Sequence, residues 1–229
     1  MKAYTDLTQE ERLTELAAIQ AVHDVDCARG YKLDMTRGKP SPEQLDWISS
    51  LGFDEAVDGD YLSESGIDVR NYGDLLGIPE ARKLFADTLN IPLAQILVSN
   101  NSSLNLMYDL NARALLHPLP GTEEPWERGK ASKALCPAPG YDRHFAIAES
   151  FGMELIPVPM TPEGPDMDVV EELVKDPQVK LMFCVPKYSN PDGIVYSEET
   201  CRRMAAMETA GDFRIIWDDA YHFHHLDPD

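Results

Sequence analysis

The segment RIIWDDAYHFHHLDPD, residues 214–229, sets Asp218 and Asp219 at the end of an apolar run and follows them with Tyr221, His222, His224, His225 and Asp227. Two chemistries use such residues. A carboxylate closing a buried strand is costly unless a cation or hydrogen-bond donor meets it, so Asp218 asks for a cationic partner. The Tyr221 hydroxyl follows three residues on, near the same rim. Alternatively, the two aspartates, the three histidines and Asp227 supply ligands for zinc or iron. Spacing weighs against the metal: His222 and His224 share a face only in extended chain, and neither HExxH nor a paired CxxC occurs.

Three further stretches carry candidate chemistry. In VSNNSSLNLMYD, amides and hydroxyls at Ser102 and Ser103 open a predicted helix and suit a phosphate at the positive end of its dipole; simple N-capping uses the same residues. In PAPGYDRHF, Tyr141 follows a predicted strand, where its ring either lies against a planar ligand or packs as a surface aromatic. In VPKYSNPDGIVYS, Pro191 and Gly193 dictate a tight turn, which aims the Asn190 amide with a stiff backbone.

These positions recur at the ends of predicted strands. TQEERLTELAAIQAVHDVDCARG has Thr8 and Glu11 at capping-box spacing and Leu13, Leu16, Ala17 and Gln20 at helical intervals, and it stops at Gly30; it predicts an amphipathic helix. SPEQ at Ser41 starts a second, short helix, followed by Gly-, Ser- and Asp-rich irregular chain. After Pro79, helices alternate with the apolar strands QILVS, KALCPA, ELIPVPM, KLMFCVP and FRIIWDD. That alternation predicts an α/β fold with a mostly parallel sheet, helices on both faces and FRIIWDD as a central strand. Open parallel sheets bind ligands beyond the carboxyl ends of their strands.

Composition narrows the partners. Forty acidic against 20 basic residues give a formal charge of −20, which repels nucleic-acid backbones and anionic membranes. No stretch reaches the roughly 18 apolar residues of a membrane span, and the first residues lack an export signal. Cys27, Cys136, Cys184 and Cys201 are far apart and read as reduced thiols, buried for the most part, which fits a cytoplasmic location.

RNYGDLLGIPEARKLF, NNSSLNLMYD, PAPGYDRHF, KYSNPDGIVYS and DDAY resemble, in the same order, the pyridoxal-phosphate-dependent aminotransferases of fold type I, class I/II, in the aspartate aminotransferase branch. The resemblance begins near Arg37 and runs to the last residue. It implies residues 1–70 as an N-terminal helical segment and irregular arm of a small domain, and 71–229 as part of the cofactor-binding large domain. By resemblance, Asp218 binds the pyridine nitrogen of pyridoxal 5'-phosphate, Asn190 and Tyr221 its phenolic oxygen, and Tyr141 its ring face. Ser102 and Ser103 hold the phosphate, Tyr72 reaches the phosphate of the neighbouring subunit in a homodimer, and Gly38 meets the substrate. The implied reaction moves an amino group between an amino acid, aspartate by analogy, and a 2-oxo acid.

Two departures stand out. Asp192 replaces the usual Thr of the NPxG turn, at a position that tolerates Asp. The Schiff-base lysine of the family lies a few tens of residues beyond D-x-A-Y, whereas this sequence runs eight residues past Tyr221, so the lysine is expected beyond Asp229. Lys187 sits where the family forms no imine. The 229 residues alone are therefore expected to be inactive, a fragment that needs a partner chain and exposes an apolar patch beside its last strand.

Overall fold

The structure is a computed structural model that describes residues 3–32, 62–67 and 73–225. The SPEQ helix start lies outside these residues. The chain divides into two compact units, one up to Leu84 and one from Phe85.

In the first unit, helix α1 spans Gln9–Ala28. Its start is the predicted capping box: the Glu11 amide donates to Thr8 Oγ1 at 3.2 Å, and the Thr8 amide donates to Glu11 Oε2 at 2.7 Å. Gly30, at φ +68, ends it. The predicted amphipathic face does not form. Leu13, Leu16, Ile19, Val22 and Val25 are all exposed, as is every other residue of α1, so none of its faces is buried. Farther on, Ser63 and Ser65 both donate to Asp74 Oδ2, at 3.2 and 2.7 Å, and the Glu64 amide donates to Glu80 Oε1 at 2.5 Å. Helix α2, Pro79–Leu89, begins on a proline, whose missing N–H is harmless at a first helical position.

The second unit holds the sheet. Helices α3 (Ser103–Leu116), α4 (Asp142–Ser150), α5 (Met167–Leu173) and α6 (Glu198–Ala206) accompany strands β1 (Lys133–Ala138), β2 (Glu154–Thr161), β3 (Gly164–Pro165), β4 (Val179–Cys184) and β5 (Arg214–Trp217). The order across the sheet is β3-β2-β1-β4-β5. All neighbours run parallel except β3, which returns antiparallel to β2.

Alternation along each strand sorts the core into two layers. Ala134, Cys136, Leu181 and Phe183 pack with Met107, Ala114, Ile147 and Ala148 of α3 and α4. Leu135, Met182 and Cys184 pack on the opposite face with Val170 and Met204 of α5 and α6. Both faces are thus covered, which is why these strands read as continuous apolar runs. Arg203 of α6 clamps α5 through a two-pronged contact with Glu171, at 2.8 and 2.9 Å.

Two predicted strands differ from expectation. QILVS, residues 95–99, is irregular chain after a 3-10 turn at Leu93–Gln95, and no described strand offers it a ladder. β5 is an edge strand among the described residues. Among those residues it pairs with β4 alone, with Ile215 and Ile216 half-buried and Trp217 exposed. β3, a Gly–Pro pair, carries no strand signal of its own.

The four thiols are free, with Cys136 and Cys184 buried, Cys201 intermediate and Cys27 exposed. Burial pushes the Cys136 thiol up to about 12 and raises Cys184 and Cys201 as well. Because the thiolate is the reactive form, Cys27 is expected to react with an aromatic disulfide reagent at pH 8 at least about tenfold faster than the others. Cys136 and Cys184 react only after urea is added; equal rates in the folded protein would contradict their burial. Leu135, with 0% exposure, tests the core: Leu135→Ala is expected to cost about 3 kcal/mol in urea unfolding. Leu116→Ala on the exposed side of α3 costs about 0.5 kcal/mol or less.

Candidate functional site

From β1 the chain crosses through α4 to β2 on one side, and the return through α5 brings β4 to the other side of β1. Such a switch in direction opens a crevice beyond the carboxyl ends of the two strands, since their connections leave to opposite sides. The loops after β1 and β4, and the end of β5 beside them, carry Tyr141, Asn190 and Asp218.

Asp218 is anchored on both sides. Its amide donates to Cys184 O at 2.8 Å, extending the β4–β5 ladder by one residue. Its Oδ2 lies 3.0 Å from Nε2 of His144, and its Oδ1 accepts from the Ala220 amide at 3.2 Å. A carboxylate only accepts, so Nε2 carries the proton. The His144 side chain is 2% exposed and that of Asp218 13%. The imidazole stacks on Phe183, with centroids 5.1 Å apart and planes 18° apart, and meets Tyr141 edge-on at 5.1 Å. The hydrogen-bond donor that the buried carboxylate demands is therefore a histidine from α4.

His144 is the site residue that the sequence reading did not single out. It stands in the quoted PAPGYDRHF, but within a helix its burial follows only from packing. The one available signal was its place three residues after Tyr141, on the first turn of a helix that follows a strand.

Asn190 occupies the predicted tight turn. Gly193, at φ +72, donates its amide to Ser189 O at 2.5 Å, and Ser189 donates its own to Ile194 O at 2.9 Å. Asn190 is exposed, and its side chain holds no hydrogen bond among the described residues. Ser102 caps α3, accepting from the Asn105 amide at 3.4 Å, while its own amide donates to Asn100 Oδ1 at 2.8 Å. Ser103 is exposed as the first residue of α3. Tyr221 is half-buried and packs edge-on against His224, with ring centroids 5.8 Å apart. Asp218, His144 and Tyr141 thus form one contact cluster. Asn190, Tyr221 and the α3 N-terminus belong to the same unit. Tyr72 and Gly38 lie outside the described residues.

The histidines near the end have local partners. His222 meets Asp219 at 2.5 Å, and His225 meets the Tyr188 hydroxyl at 3.1 Å. Among the described residues no group of three or more His, Cys, Asp or Glu is placed to hold a metal ion. Asp227 lies outside them.

Asp218 has the capacity to take one more donor. A carboxylate offers about four lone-pair positions, and two are engaged here. A cationic ring N–H fits that remaining capacity, and the half-buried Tyr141 ring borders the same cluster.

Comparison with known proteins supplies context. The family model described as aspartate amino-transferase matches residues 7–229. The aspartate aminotransferase of Corynebacterium glutamicum is 49% identical over 200 residues, covering 87% of this chain and 46% of that protein. The solved structure of an aspartate transaminase from the same organism superposes with a TM-score of 0.80 at 46% identity, covering 93% of this chain and 50% of the other. An archaeal alanine:glyoxylate aminotransferase shares the fold, with a TM-score of 0.64 at 22% identity, covering 93% and 51%. The chain spans about half the length of the curated relatives it matches.

Removing the imidazole leaves Asp218 buried without its main donor. His144→Ala is expected to destabilise by about 3 kcal/mol in urea unfolding. Adding Asp218→Ala to His144→Ala should recover more than half of that loss. A double variant no more stable than His144→Ala would mean that ring packing, and not the paired carboxylate, explains the cost.

Proposed function

The chain belongs to the aspartate amino-transferase family, and from that premise we propose that it serves the transfer of an amino group between an amino acid and a 2-oxo acid with pyridoxal 5'-phosphate. The observation that carries the proposal is the His144–Asp218 pair at the crevice beyond β1 and β4. A carboxylate at such a crevice, shielded from solvent and held by an imidazole N–H, suits a protonated pyridine nitrogen.

When bound, the cofactor supplies an electron sink for the pair left behind as an amino acid loses its α-proton. Asp218 keeps a proton on the ring nitrogen, and His144 Nε2 holds Asp218 in place. The Asn190 amide and the Tyr221 hydroxyl donate to the phenolic oxygen, which favours its anionic form. Tyr141 lies against the ring. Ser102 and Ser103 take the phosphate at the N-terminus of α3, where backbone amides and helix dipole favour an anion.

Tyr72, Gly38 and a homodimer enter the proposal through the family resemblance, as does an aspartate-type donor. The family's imine-forming lysine has no counterpart by motif within the 229 residues. The proposal therefore concerns how this half of the family's chain length binds the cofactor.

Trp217, exposed and adjacent to Asp218, gives a direct readout. Titrating the protein with pyridoxal phosphate is expected to quench its fluorescence saturably. Asp218→Ala weakens the apparent affinity about tenfold or more, in line with loss of a charged hydrogen bond. Inorganic phosphate competes through the α3 end. Equal titrations for wild type and Asp218→Ala would remove the basis of the reading.

A further inference from the structure

β4 and β5 are parallel neighbours, so the segments that leave their carboxyl ends start side by side. The first carries Asn190 and the second Tyr221. The first is pinned to the core: Ser189, 5% exposed, donates its hydroxyl to Val185 O at 2.8 Å and its amide to Ile194 O at 2.9 Å, and the Tyr196 amide donates to Pro186 O at 2.8 Å. The second follows a strand that is at the edge among the described residues, and it folds mainly on itself. The side chains of His222 and Asp219 meet at 2.5 Å, the His222 amide donates to Asp219 O at 3.1 Å, and the His224 amide donates to Tyr221 O at 3.0 Å.

Apart from the Ala220 amide on Asp218, the hydrogen bonds that tie residues 219–225 to the rest of the unit come, among the described residues, from two adjacent side chains. Tyr188 Oη meets His225 Nδ1 at 3.1 Å, with the two rings edge-on and their centroids 6.2 Å apart. Lys187 Nζ donates to His222 O over a longer 3.5 Å. The tyrosine contact holds for either charge state of the imidazole, because a phenol donates to a bare Nδ1 and accepts from a protonated one.

The backbone at Tyr188 is unusual. It lies at φ +51, in the left-handed region that a bulky side chain rarely adopts. The other non-glycine residues with positive φ among those described are Asp74 and Asn90, whose types tolerate it. Such a conformation persists only where the surroundings over-determine it. Here the next residue, Ser189, is held in the core, while Tyr188 stays half-buried with its hydroxyl on the exposed His225.

We propose that Tyr188 is a positioning residue of the cofactor cradle: its hydroxyl holds His225, and with it the turn that carries Tyr221, against the pinned loop that carries Asn190. This rests on the reading given above, in which Asn190 and Tyr221 donate to one phenolic oxygen. Two donors on separate loops serve one atom only if the loops keep their spacing, and the Tyr188–His225 contact spans that gap.

Tyr188→Phe removes the hydroxyl and keeps the ring and the backbone. In pulse-labelled hydrogen exchange on the cofactor-free chain, read by mass spectrometry, exchange across residues 219–225 is expected to speed about fivefold, as loss of one hydrogen bond implies, while β1 stays unchanged. His225→Ala should do the same, and combining it with Tyr188→Phe should add nothing further. Unchanged exchange in residues 219–225, or additive effects, overturns the proposal whatever the cofactor does. In the chain loaded with pyridoxal phosphate, Tyr221→Phe is expected to raise the pH midpoint of the cofactor's visible absorbance, because the phenolic anion loses a donor. Tyr188→Phe raises it by about half a unit, and not at all in a Tyr221→Phe background. A midpoint that moves in Tyr221→Phe and not in Tyr188→Phe overturns the positioning role, as do additive shifts. If Tyr221→Phe leaves the midpoint in place while exchange responds as expected, the reading of Tyr221 fails and the positioning role falls with it.

Discussion

His144 and Asp218 are 74 positions apart in sequence, and their side chains meet at 3.0 Å. Much of the second unit is arranged so that this contact exists. β1 must turn into α4 within a few residues, β4 must lie beside β1, and β5 must extend the ladder far enough for the Asp218 amide to reach Cys184 O. Phe183, on β4 between those partners, supplies the flat surface on which the imidazole rests. A buried carboxylate without this donor would be a liability; with it, the carboxylate becomes a fixed negative charge with spare accepting capacity.

The start of α3 handles charge differently. Ser102 spends a lone pair on capping α3, which leaves its hydroxyl proton free for an acceptor. Capping and anion binding were alternatives in the sequence; in the structure one hydroxyl is able to do both. Ser189 likewise donates its hydroxyl proton to Val185 O at 2.8 Å and keeps its lone pairs. Small hydroxyl residues thus serve local backbone needs and keep a second valence available.

Much of this was legible in the sequence, for physical reasons. Strands buried on both faces must be apolar throughout, so KALCPA and KLMFCV announced themselves, and the helices between them could only cover the two faces. The capping box at Thr8 and Glu11 is local and was realised as written. Properties that depend on neighbours were not legible. FRIIWDD has the composition of a central strand, yet its place at the edge of the described sheet is decided by which strands pair. QILVS has the composition of a strand and no ladder to join. His144 looked like any helical histidine, because its partner is remote in sequence.

A charge of −20 on the chain raises a last question, since the proposed cofactor is itself an anion. Long-range attraction cannot bring it in, and at physiological salt charges interact over about 8 Å only. Recognition must therefore come from contacts shorter than that screening length. The α3 N-terminus offers amides and hydroxyls of the right polarity for an anion, and in the proposed reading Asp218 would address the cationic nitrogen of the ring and not the phosphate. In the proposed reading, the positive and negative features of one ligand would thus be met by separate groups of the protein. An acidic surface then costs little affinity, because the net charge of a protein acts on the approach of a ligand, whereas its fit depends on dipoles and donors fixed in place.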